Sequence, residues 1–202
     1  MNTLVKRTLW FALCLPLFLA GCASQPAHYQ VSSGPTIAPD PMSLDDYCLE
    51  HPCRGETDIS LATIDGGYHY SSDYYWPVVD KDQDIYVLAG ERLFVEIEFD
   101  EFGSVKSLRH VNEIQHPERT MEYHFRQVAG NYGMLATLRN PLNQPIKFTV
   151  TLIDIDGNKV HTGTCPIRAR RSFMDQWKFP AKAMILSDLQ ILPADAPIIC
   201  TG

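Results

Sequence analysis

From about residue 60 onward, apolar and polar residues alternate with the two-residue period of β-strands. Leu93, Val95, Ile97 and Phe99 fall on one side of an extended segment and Glu96, Glu98 and Asp100 on the other, the pattern of a strand with one buried and one wet face. Met121, Tyr123 and Phe125 alternate with Glu122, His124 and Arg126. Ile146, Phe148, Val150 and Leu152 alternate with Lys147, Thr149 and Thr151, and Asp156-Gly157 then turns the chain toward Val160 as a hairpin. Met134 to Leu138 and Met184 to Leu192 supply further strands, and no helical stripe of comparable length occurs in this half. Short strands separated by turn signals predict an antiparallel sandwich or barrel.

Ahead of residue 60 the pattern changes. Lys6 and Arg7 precede an apolar run, Leu9 to Ala20, broken by Pro16. A helix needs about 20 apolar residues to cross a bilayer, whereas the apolar region of a signal peptide needs roughly 7 to 15, so the run reads as an export signal. Between Ala23 and about Pro41 the chain is rich in Ser, Gly, Gln and Pro and shows no hydrophobic period. Such a stretch, about 20 residues long, has a typical reach of roughly 25 Å and a pulled length of about 60 Å. Ser43-Leu44-Asp45-Asp46 has the features of a helix start, with Ser43 as N-cap, and Pro52 stops that helix early.

Leu19-Ala20-Gly21-Cys22 resembles the lipobox of bacterial lipoproteins, in which the signal is cut just before the cysteine. The resemblance implies that residues 1–21 are removed and that the Cys22 thiol carries a diacylglycerol. The residue after it is Ala23 rather than Asp, which in that class implies the outer membrane rather than the inner one. Acyl chains contribute about 0.8 kcal/mol per buried CH₂, enough in combination for stable anchoring.

The signal carries two of the 17 basic residues and none of the 24 acidic ones, so the remaining chain stands at about −9. A chain this acidic is repelled by phosphate polymers, which argues against nucleic acid as a partner. Cys14 leaves with the signal and Cys22 takes the lipid, leaving Cys48, Cys53, Cys165 and Cys200. In an exported protein an even number of cysteines reads as disulfides, here with three possible pairings. Cys48–Cys53 closes a tight local loop and Cys165–Cys200 staples the C-terminus, and that pairing is favoured. A metal site using His51 does not match zinc-ligand spacing.

The stretch Leu138-Arg139-Asn140-Pro141 to Pro145-Ile146, with Val150-Thr151-Leu152 and Asp156-Gly157, is similar to the middle strands of immunoglobulin-like domains of bacterial envelope proteins. The fold expected is therefore all-β: an immunoglobulin-like antiparallel β-sandwich over residues 60–202, preceded by the signal (1–21), a lipid-anchored tether (22–42), and a short helix with a disulfide loop (43–59).

Candidate chemistry is sparse. No nucleophile elbow, zinc-protease helix or phosphate loop is present. Glu96, Glu98, Asp100 and Glu101 read as the wet face and turn of one hairpin. His110, His116 and His124 would form a metal site only if the fold gathered them, and no cofactor is expected. Two features point to binding. Tyr68 to Trp76 concentrates aromatic rings, of which strand parity and Pro77 place Tyr75 outside and Trp76 inside. Arg168, Arg170 and Arg171 form the densest basic cluster, suited either to salt bridges or to an anionic envelope polymer. The expected function is non-enzymatic. A periplasm-facing module held on the membrane through Cys22 would bind an envelope protein or cell-wall component through Tyr75 and the arginines. The alternatives are a cell-wall hydrolase and a structural accessory subunit of an envelope complex.

Overall fold

The computed structural model describes residues 48–49, 51–73, 76–102 and 104–201. The expected lipobox, the expected tether and the expected helix start at Ser43 lie outside the described residues, as does Tyr75; of that helix only Cys48 and Leu49 are described, and both are helical. The strands, in chain order, are β1 (Cys53–Arg54), β2 (Thr57–Thr63), β3 (Gly66–Ser72), β4 (Trp76–Pro77), β5 (Ile85–Leu88), β6 (Arg92–Phe99) and β7 (Val105–Val111). They continue as β8 (Thr120–Gln127), β9 (Met134–Arg139), β10 (Ile146–Asp154), β11 (Lys159–Thr162), β12 (Ser172–Trp177) and β13 (Ala181–Ile191).

Two antiparallel sheets, in the orders β11-β10-β13-β5 and β12-β9-β8-β6-β7, pack into a β-sandwich, the architecture implied by the immunoglobulin-like resemblance. The alternation seen in the sequence supplies the core. Leu93, Val95 and Ile97 of β6 and Met121, Tyr123 and Phe125 of β8 are buried against Ile146, Phe148, Val150 and Leu152 of β10 and against Met184 and Leu186 of β13. Phe99 departs from the expectation. The β6–β7 register shifts between Glu98 and Phe99, and the bulge turns that ring outward. Asp156-Gly157 forms the β10–β11 turn, with Gly157 at φ 92°. The β2–β3 hairpin closes one end of the sandwich and touches both sheets. The Gln127 amide bonds the backbone N–H and C=O of Ala62 at 2.8 and 2.9 Å, and Lys182 Nζ lies 5.7 Å from the Tyr70 ring centre.

The disulfides are Cys48–Cys53 and Cys165–Cys200. Next to the first, the largely buried Arg54 grips Glu91 with two guanidinium nitrogens and donates to the carbonyls of Pro77 and Tyr86. Glu91 Oε2 also accepts the Leu88 N–H at 2.7 Å, so this ion pair ties the entering chain to β4 and β5.

Candidate functional site

β7 and β8 flank β6 on opposite sides, so the connection from Val111 to Thr120 has to cross β6. It crosses over the outward side chain of Glu96. This corrects the reading of Glu96 as part of a solvated face: it is 2 % exposed. Its carboxylate takes Arg109 Nη2 of β7 at 3.0 Å, Arg119 Nη2 of the crossover at 2.5 Å and His116 Nε2 at 4.0 Å. The Arg119 contact is an ion pair without hydrogen-bond alignment. Glu96 Oε1 and Arg119 Nε are thus buried with no hydrogen bond among the described residues. Glu98 follows the sequence reading more closely: it is part-exposed and accepts from Ser107 at 2.9 Å. A cleft of about 430 Å³ opens beside the crossover, its lining including Glu96, Arg109, Val111, Asn112, Glu113 and Gln115. Acid–base work needs a carboxylate that exchanges its proton with substrate. Both Glu96 oxygens instead face guanidiniums, the arrangement of a fixed counter-ion holding a loop.

The register of the five-stranded sheet places Ser172, Arg139, Glu122, Phe94 and Val111 in one outward row and Met174, Thr137, His124 and Arg92 in the next. Arg126 and Arg109 lie on the same face. Arg92 pairs with Glu122 at 2.6 Å and stacks 5.6 Å from the Phe94 ring centre, while Arg126 and Arg139 have no carboxylate partner among the described residues. The field of this face is visible at His124, whose titration is pushed down by burial first and then by Arg126 and Arg92, against the pull of Glu122. Among the described residues, every arginine except Arg54 sits on this face or beside it. On the other sheet, Asp84 of the loop preceding β5 feels Asp80, Asp82 and Asp188, and its carboxyl is raised to about 6 by burial first and then by those charges.

Arg168, Arg170 and Arg171 are exposed on the connection from β11 to β12, at the Arg139 end of the face. A fully buried side chain shapes this connection. The Asn140 amide donates to the carbonyls of Gln144, Ile167 and Arg168 at 2.8, 3.1 and 3.1 Å and accepts the Leu142 N–H at 2.9 Å. Arg171 N–H bonds the Arg168 carbonyl at 3.2 Å, closing a turn, and Arg170 takes φ 58°, held by its N–H on Leu142 O at 3.0 Å. Arg170 Nε donates to Asn143 at 2.9 Å. None of the three guanidiniums meets a carboxylate among the described residues.

Other expected site residues are spread apart. Trp76 is buried, as parity predicts, and packs 6.2 Å from the Tyr86 ring. Tyr68 and Tyr70 are half-buried against the core, so these two rings pack on the sandwich rather than standing free. His110 projects from the core side of β7, where burial and Arg54 push its titration down, while His124 lies on the outward face two strands away. No group of three metal-ligating side chains forms among the described residues. Arg139 and Asn140 entered the sequence reading only through the immunoglobulin-like resemblance, and not as site residues. The signal was an Asn-Pro step ending a strand, where a short amide commonly bonds the backbone.

No known family matches the chain, and no curated protein or solved structure gives a match to it.

Proposed function

We propose that the protein is an outer-membrane lipoprotein, anchored through Cys22 and facing the periplasm. In this reading its sandwich binds another envelope component, without catalysis, through the outer face of the five-stranded sheet. The observation that carries the reading is the segregation of arginine. A chain with a formal net charge of −7 gathers guanidiniums on one sheet face and leaves Arg126, Arg139, Arg168 and Arg171 without carboxylate partners among the described residues. Arginine is the residue suited to bidentate recognition of anions, so the partner presents negative charge. The tether, by its composition, lets the domain search roughly 25 Å from its anchor.

Crosslinking in intact cells followed by capture of the protein tests this. The wild type should retain an envelope component that the triple variant Arg139→Ser/Arg168→Ser/Arg171→Ser loses, with retention falling as salt is raised. Equal capture by both proteins would refute the arginine face as the docking site. Mass spectrometry of the mature N-terminus should find a diacylated Cys22, and a mature chain starting elsewhere would sink the anchor.

A further inference from the structure

We propose that the turn at Arg168 to Arg171, together with Arg139, is a binding site for phosphate groups; the inference rests on the reading of this face as a docking surface. Three observations combine. First, Arg168 and Arg171 stand at the two ends of a turn closed by the 3.2 Å bond between Arg171 N–H and Arg168 O, which brings their Cα atoms to within about 7 Å of each other. Arg139 joins them through the neighbouring backbone, where Asn140 N–H bonds Arg171 O at 2.9 Å. Second, the arrangement is held in advance. Asn140, with no exposed surface, fixes the turn through the Ile167 and Arg168 carbonyls, and Asn143 holds the Arg170 guanidinium. Third, none of these guanidiniums has a carboxylate partner among the described residues, so their positive charge is left uncompensated.

A ligand neutralises this cluster best if it carries more than one negative charge and several acceptor oxygens. A phosphate monoester has about −1.5 to −2 charges and three such oxygens, where a carboxylate has one charge and two. The site therefore favours phosphate, and terminal phosphate over diester. Exposed guanidiniums give modest affinity for one free ion, so a surface that repeats the group gains by multivalency.

The test uses the purified full chain with inorganic pyrophosphate as probe, at constant ionic strength. Pyrophosphate should raise the melting temperature, and acetate should not. The Arg168→Ala/Arg171→Ala variant should lose that response while keeping, or slightly raising, its own melting temperature, because uncompensated positive charge is removed. Arg168→Lys/Arg171→Lys should bind about tenfold more weakly, since a point charge lacks the guanidinium fork. A pyrophosphate response equal to that of acetate, or one that survives in the alanine variant, overturns the assignment. Vesicles of phosphatidic acid and of phosphatidylcholine separate the sources. Arginine-dependent binding to the first alone marks a lipid headgroup, and a pyrophosphate response without vesicle binding marks a soluble phosphate. If crosslinked partners depend on the arginines while pyrophosphate has no effect, the docking face stands and the phosphate assignment falls. If pyrophosphate binds and no partner depends on the arginines, the docking reading fails instead.

Discussion

Asp84 enters the folded state at a cost that depends on pH. Its carboxyl rises from 3.8 to about 6 on folding, through burial and the neighbouring Asp80, Asp188 and Asp82. Between those values the native protein holds a proton that the unfolded chain has released, so this group's contribution to stability falls as pH rises through the window. Asp84→Asn should therefore be more stable than wild type at pH 7.5, by about 1 kcal/mol after allowance for solvent screening, and the two should converge near pH 4. Urea denaturation at both pH values checks this, and a variant less stable at pH 7.5 would contradict it. Glu96 is held by ion pairs. Glu96→Gln removes the buried carboxylate that Arg109 and Arg119 share, but Arg109 keeps Glu98 at 3.7 Å and both guanidiniums reach solvent, so a loss of about 2 kcal/mol is expected in equilibrium denaturation. A loss under about 1 kcal/mol would show the network to be dispensable. Alternation along β6 located Leu93, Val95 and Ile97 correctly and misplaced Glu96, because period-two patterning reports which face a residue takes and not what lies over that face. The cover comes from a connection whose route depends on strand order, which no local pattern encodes.

At the scale of elements, strands with strong alternation were legible: β6, β8, β9, β10 and β13 fall where the pattern puts them. β12 was not, since Ser172–Trp177 presents Phe173 and Trp177 inward but Asp175 between them. That carboxylate stands on the core-facing side of an edge strand, opposite the buried Ala136. An inward charge on an edge discourages pairing with another chain's edge. Asp175→Val should accordingly promote self-association while leaving the fold intact, seen as higher-mass species in sedimentation velocity; a variant that stays monomeric would show that the edge is guarded by something else. The disulfides were legible from the even number of cysteines expected after export and from loop length. Cys165–Cys200 spans 35 residues, for which loop-closure entropy gives roughly 3 to 4 kcal/mol.

For the molecule as a whole, sequence order and charge are distributed differently. Arginines scattered from Arg92 to Arg171 converge on one sheet face only because β6, β8 and β9 lie side by side and the β11–β12 turn returns to the end of β9. Composition gave the net charge and could not give its asymmetry. That asymmetry orients the domain in an electric field, and an anionic partner would meet the arginine face first.

Arg54 has a mechanical consequence. Any pull on the chain ahead of Cys48 arrives at Cys53–Arg54, a strand of only two residues. The force then divides between the short β1–β4 ladder and a guanidinium that holds Glu91, Pro77 and Tyr86. While Cys48–Cys53 is closed, the five-residue separation it spans takes up no extension. Under a pull applied ahead of Cys48, release of Arg54 from Glu91 is therefore the expected first step at this end of the chain, and Arg54→Ala should lower the force of that step in single-molecule pulling.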